Sequence, residues 1–147
     1  MSLRKQLQTD LHDAIRARDE HRKGALRMVL ADVQRAEIAQ GPLSDDKVLS
    51  LIQKEVKRRR DALEMIRKAG REELAAIETT EIEILRAYLP EPLSRETVTE
   101  LVQAVILEVG ASSPADMGKV MRVLMPQVRG KADGRLVSGI VRDLLSA

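Results

Sequence analysis

The chain contains no cysteine, no tryptophan and no phenylalanine, and a single tyrosine, Tyr88. Without cysteine there is no disulfide framework, no zinc–thiolate site and no thiol nucleophile; the composition suits a reducing interior, and a cytoplasmic location is expected from it. Without Phe and Trp the stacking platforms used to hold single-stranded nucleic acid are excluded. Histidine is nearly as scarce. His12 and His21 stand nine residues apart, and neither has a His or Glu at the three- or four-residue spacing of a helical metal site, so no metal is expected. Gly-x-Ser-x-Gly is absent, and Gly118-Lys119-Val120-Met121 lacks the upstream glycine and following hydroxyl of a phosphate loop. The expectation is therefore no catalytic residue and no cofactor. No window approaches the roughly 20 apolar residues of a membrane span, and the opening Met1-Ser2-Leu3-Arg4-Lys5-Gln6 has no apolar core, so no membrane partner is expected either. Nor does one sign of charge dominate. With 25 Lys and Arg against 23 Asp and Glu the net charge is +2, and the pI of about 9.1 overstates how basic the chain is.

What remains is an aliphatic, heavily charged chain. Apolar residues make up 44% and charged residues 33% of 147 positions. A core of Leu, Ile, Val, Met and Ala packs well between helices, and abundant balanced charge suits i,i+4 pairs on helix surfaces. The fold class expected is all-α. Ser2 caps a first helix with the stripe Leu3, Leu7, Leu11, Ala14 and Ile15, ending near Arg18. A second stripe, Leu26, Val29, Leu30, Val33 and Ile38, runs to the stop signal Gly41-Pro42. Ser44 caps a long third helix with the seam Ile52, Val56, Arg59, Leu63 and Ile66, which stops at Gly70. A fourth, from Glu72 to Tyr88, carries Leu74, Ile77, Ile82 and Leu85 and ends before Pro90-Glu91-Pro92. The paired prolines are the natural boundary between an N-terminal domain of about four long helices, 1–92, and a compact three-helix C-terminal domain, 93–147. In the latter, Ser94 caps a helix with Val98, Leu101, Val102, Val105 and Ile106 that Gly110 ends. Ser113-Pro114 opens a short helix with Met117, Val120, Met121 and Leu124, which Met125-Pro126 breaks. Asp133 caps the last, with Val137, Ile140, Val141 and Leu144.

Two basic regions invite a nucleic-acid reading, because clustered Lys and Arg neutralise phosphates. In the run from Lys54 to Arg60, the helical repeat of about 100° per residue puts Arg59 on the apolar seam, Lys57 opposite it, and Arg58 and Arg60 on its flanks. The run cannot be one patch, and Asp61 partly cancels it. Lys57, Arg58 and Arg60 remain secondary candidates, with a solvated scaffold face as the alternative. Arg59 must snorkel or find a carboxylate, since an unpaired buried charge is costly; Glu78, Glu81 and Glu83 are the candidate partners. The C-terminal cations are better arranged. Lys119 and Arg122 point away from the sixth helix's stripe, Arg129 and Lys131 flank Gly130 on the connecting turn, and Arg135, Gly139 and Arg142 line the outer face of the last helix. From Ser112 onward there are six basic and three acidic residues. Gly139 costs roughly 1 kcal/mol against Ala in a helix interior, and a bare stretch between two arginines admits a phosphate–sugar backbone closely; ordinary solvation of a helix face is the other account. Gly118 is expected to serve close helix packing, and Met117, Met121 and Met125 to fill the core.

Several segments resemble the YqeY family: Glu55-Val56-Lys57-Arg58-Arg59-Arg60-Asp61, Lys68-Ala69-Gly70-Arg71-Glu72-Glu73-Leu74, Tyr88-Leu89-Pro90-Glu91-Pro92-Leu93-Ser94, Gly110-Ala111-Ser112-Ser113, Asp116-Met117-Gly118-Lys119-Val120-Met121 and Gly130-Lys131-Ala132-Asp133-Gly134. Ala62 and Ser138 depart from the family pattern, in which Ser and Asn are expected. The C-terminal half of that family is similar to the helical tail of GatB, the tRNA-recruiting subunit of an aminoacyl-tRNA amidotransferase, in which the tail reads the tRNA body while the chemistry belongs to a separate amidase subunit and to the GatB cradle. The resemblance implies a tRNA- or structured-RNA-binding accessory protein without catalysis of its own. A helical protein–protein interaction module, with a protein as partner, is the alternative reading, and an amidotransferase-linked carbon–nitrogen ligase activity a more distant one.

Overall fold

A computed structural model describes residues 2–147, and among them there are seven α-helices, one 3-10 turn and no strand. The helices are α1 (Leu3–Arg16), α2 (Glu20–Gln40), α3 (Asp45–Lys68), α4 (Glu72–Arg86), α5 (Arg95–Val109), α6 (Met117–Val128) and α7 (Gly134–Ser146), with the 3-10 turn Pro114–Asp116 before α6. They form two compact units, Met1–Leu89 and Pro90–Ala147.

In the first unit the starts of α1, α2 and α3 are each fixed by a short polar side chain taking up an orphan backbone N–H, whereas α4 begins after Arg71 without one. Ser2 Oγ accepts from Lys5 N at 3.2 Å, Asp19 Oδ1 from Arg22 N at 3.1 Å and Ser44 Oγ from Lys47 N at 3.3 Å. α1 ends at Arg16, and Arg18 takes a left-handed φ of 56° to turn the chain into α2. Gly70, at φ 71°, makes the equally short α3–α4 turn, in a backbone conformation that glycine adopts without strain. Leu7, Leu26, Val29, Val33, Val48, Ile52 and Leu85 are wholly buried, each contributing about 1.5–3 kcal/mol relative to exposure.

Three stripe expectations fail at their edges. Ile38 is 87% exposed; it lies twelve residues after Leu26, which at about 100° per residue is some 120° off the seam. Ile15 sits about 80° from Leu7 by the same repeat and is also exposed. In α4 the buried positions are Ala75, Ile82 and Leu85, whereas Leu74 and Ile77 face outward. At the end of α4, the Tyr88 hydroxyl donates to Asp10, and Arg22 lies 3.7 Å from the same carboxylate. Burial first, then the bond to Asp10, pushes the phenol up to about 12.

The second unit buries Val98, Val102, Val120, Leu124, Val128, Val137 and Val141 completely. Ser94 caps α5 through Thr97 N at 3.1 Å, and Gly110 ends it in the left-handed region. Asp116 accepts from Ser112 N at 2.9 Å and Ser113 N at 3.3 Å, and these bonds, with the charge of Lys119, hold its carboxyl below the ordinary range. Pro126 does not break α6. The helix continues to Val128. Proline removes one N–H and crowds the carbonyl four residues back, but in the last turn little helix follows it, and the wholly buried Val128 holds that turn against the core. On α7 the seam passes through Leu145 rather than Leu144, which is only half-buried. Leu93 N donates to Lys131 O at 2.7 Å, tying the entry of the unit to the α6–α7 turn. Because α7 follows α6 through that turn yet packs against both α6 and the 3-10 segment at its start, the two helices form an antiparallel hairpin.

Candidate nucleic-acid interface

The stripes that bury one side of α6 and α7 fix what the other side presents. With Val120, Leu124 and Val128 inward, Lys119 and Arg122 face solvent; with Val137, Ile140 and Val141 inward, Arg135 and Arg142 do. Arg129 and Lys131 are exposed on the turn, around Gly130 at φ 77°. Among the described residues none of these six side chains is in an ion pair or donates a side-chain hydrogen bond; Lys119 comes nearest, close enough to Asp116 to lower that carboxyl. Every ion pair among the described residues falls in the first unit. The two signs are unevenly shared within the second unit: α5 carries exposed Glu96, Glu100 and Glu108 against Arg95, while from α6 onward the six cations face only Asp133 and Asp143 as exposed acids.

Gly139 is half-buried between Arg135 and Arg142, and an added Cβ there would meet nothing within 4 Å, so the surface above it is open. Gly118 is exposed and equally unobstructed. The close packing expected of Gly118 is not found, because it lies on the outer face of α6 beside Lys119.

The arginine run is arranged differently. Lys57 is exposed and points away from the core. Arg58 is bound to Glu55 at 2.5 Å, and this hydrogen bond and charge raise its already high pKa. Arg60 is exposed on the opposite flank, among the residues between α3 and α4. Arg59, with a side chain only 11% exposed, meets Glu55 at 3.0 Å, Glu78 at 3.5 Å and Glu81. Glu83, the third candidate partner, is exposed on the other side of α4 and does not join. Glu55, buried to 3%, is the member that sequence reasoning missed; its place four residues before Arg59 was the available signal. Among the described residues no group of three or more His, Cys, Asp or Glu side chains is gathered as a metal would require, and no helix is long and apolar enough to cross a membrane.

The sequence matches the family described as Yqey-like protein over residues 4–145. The chain belongs to that family. Among Yqey-like relatives, it is 31% identical over 147 residues to a protein of Pyrenophora tritici-repentis named "Altered inheritance of mitochondria protein 41, mitochondrial", covering 96% of this chain and 80% of that protein. Proteins of the same name from Lachancea thermotolerans and Kluyveromyces lactis are 34% and 30% identical, covering 74% and 90% of this chain and 60% and 70% of theirs. These relatives are named as mitochondrial, which overturns the cytoplasmic location expected from composition. Lack of cysteine removes thiol and disulfide chemistry but carries no address.

Proposed function

We propose that this Yqey-like protein is an RNA-binding accessory protein whose second unit holds the backbone of tRNA or a similarly folded RNA against the outer face of the α6–α7 hairpin. The observation that carries the reading is the set of six outward cations, Lys119, Arg122, Arg129, Lys131, Arg135 and Arg142, that the fold gathers on α6, α7 and their turn and leaves without ion-pair partners. A cation with no internal partner gives up little on meeting a phosphate. The open backbone at Gly139 lets a strand approach α7 closely. The resemblance of the Gly110–Gly134 segments to the GatB tail favours a tRNA body over other polyanions. With no Phe or Trp in the chain, recognition rests on shape, phosphates and 2′-hydroxyls rather than base stacking.

The test is a titration of the purified chain with total tRNA, duplex DNA and heparin across a salt series. Engagement of about four to six phosphates gives log K a slope of roughly −3 to −5 against log salt, with tRNA preferred. Equal weak binding to all three polyanions would refute a specific RNA role. Such a protein supplies binding and leaves chemistry to other proteins; addition of glutamine to the purified chain with Glu-tRNA is expected to yield no Gln-tRNA.

A further inference from the structure

A second charged surface lies wholly within the first unit and plays no part in the RNA reading. Between α3 and α4 runs a groove whose floor is Leu63 and Ile82 and whose walls carry Arg60, Arg67 and Lys68 from α3 and Arg86 from α4. Among the described residues Arg60, Arg67 and Arg86 have no ion pair, and Lys68 is only 3.7 Å from Glu64. Arg60 was one flank of a run that looked incoherent along the sequence. Folded, it joins cations from eight residues further along α3 and from a second helix.

We propose that this groove docks one acidic amphipathic helix of a partner protein. Two observations favour a peptide over a phosphate chain. The walls also hold Glu64 and Glu83, which a polyphosphate backbone would meet with like charge and which a peptide can answer with a lysine or arginine. The floor offers only the outer edges of Leu63 and Ile82, 9% and 6% exposed, beside Thr79, and the methylene stems of the arginines widen it, so a narrow apolar stripe flanked by carboxylates fits where a polar sugar–phosphate strand does not. Arginine forks donate to carboxylates in bidentate geometry. From Arg60 to Lys68 the wall rises about 12 Å, the length of roughly two turns of a docked helix, which points to a weak, charge-steered contact rather than a permanent one.

The probe is a labelled helical peptide with leucines at i, i+3, i+4 and i+7 and glutamates on both flanks, titrated into the full chain by fluorescence anisotropy. Saturable binding is expected, lost when the glutamates are replaced by lysines. Arg67→Glu with Arg86→Glu should weaken it about tenfold or more while leaving the helical spectrum and tRNA affinity unchanged; Arg60→Glu with Lys68→Glu repeats the test should the first pair fold poorly. No saturation at millimolar peptide, or binding indifferent to both reversals, overturns the proposal. So does a loss of tRNA affinity in either reversal, which would make the groove a phosphate site. Failure of tRNA binding in the unaltered chain would leave this groove's test intact, since it reads peptide binding separately.

Discussion

Replacing Arg59 by methionine isolates what a guanidinium set into an aliphatic seam contributes. Methionine keeps the length and apolar stem of the side chain while removing the one cation that three carboxylates share. Glu55 suffers most. Its side chain is 2% exposed, against 14% for Glu81 and 24% for Glu78, so the latter two can turn toward water and Glu55 cannot. Stranding a buried charge costs about 3–5 kcal/mol; because Arg58 still holds one oxygen of Glu55, the lower end, about 3 kcal/mol, is expected. For a unit of this size each kcal/mol moves the melting temperature by about 4–8 °C, so a drop of roughly 12–24 °C in the transition of the first unit follows. Arg58→Met is the control: Arg58 is 59% exposed, and the loss of so open a partner costs about 1 kcal/mol or less. Replacing Glu55, Arg59 and Glu81 together by Leu, Met and Leu should restore most of the stability, because no buried charge is then left unmatched. Melting curves followed by circular dichroism separate the cases. If Arg59→Met melts no lower than Arg58→Met, or the triple replacement is worse than the single one, the network is solvated and this reasoning fails.

Charge reversal at Arg135 and Arg142 should lower tRNA affinity by at least tenfold and flatten the salt slope by about 2 without moving the melting curve, as both lie on the outer face of α7; an unchanged slope would show that phosphates bind elsewhere. The Tyr88 phenol should ionise near pH 12, read as ultraviolet absorbance of the single tyrosine, and Asp10→Asn should lower it only part of the way, because burial, the larger cause, remains. Because the native value is raised, the contribution of Tyr88 to stability is complete below the ordinary tyrosine pKa of 10 and declines between there and about 12; an ionisation already complete by pH 10.5 would contradict the burial and the bond. Asp116 is shifted the other way, so its cap contributes above the ordinary aspartate value of 3.8 and is lost as pH falls through the lowered native one. Asp116→Asn should therefore lower the melting temperature of the second unit at pH 7 and make little difference at pH 2, and equal effects at both would refute it.

The helices were legible because their signals are local. Ser2, Ser44, Ser94 and Asp133 cap where short polar residues precede apolar periodicity, and Gly70 and Gly110 stop helices where positive φ is needed. Stripe edges were less legible. A strict count of the helical repeat sets Ile15 and Ile38 off their seams, whereas whether Leu74 or Ile77 is covered depends on the neighbouring helices, which no single helix's repeat reports. Pro126 misled for a related reason: its effect depends on how much helix follows and on whether that turn is buried. At the candidate sites the outward direction of Lys119, Arg122, Arg135 and Arg142 followed from periodicity, but the absence of ion-pair partners around them did not. Arg59 was visible as a misplaced charge, while its deepest partner, Glu55, was hidden inside a run read for its positive members.

The single tyrosine also decides what can be seen of this protein in solution. Tyr88 stands at the junction of α1, α2 and α4, so intrinsic fluorescence and near-ultraviolet signals report the first unit alone. The second unit, which carries the cationic hairpin, is optically silent. Helical circular dichroism, by contrast, sums over both. Heating the chain while recording the two signals side by side therefore resolves the units without any label: superimposed transitions mean that they unfold as one cooperative body, and a tyrosine transition displaced from the helical one means that each melts by itself.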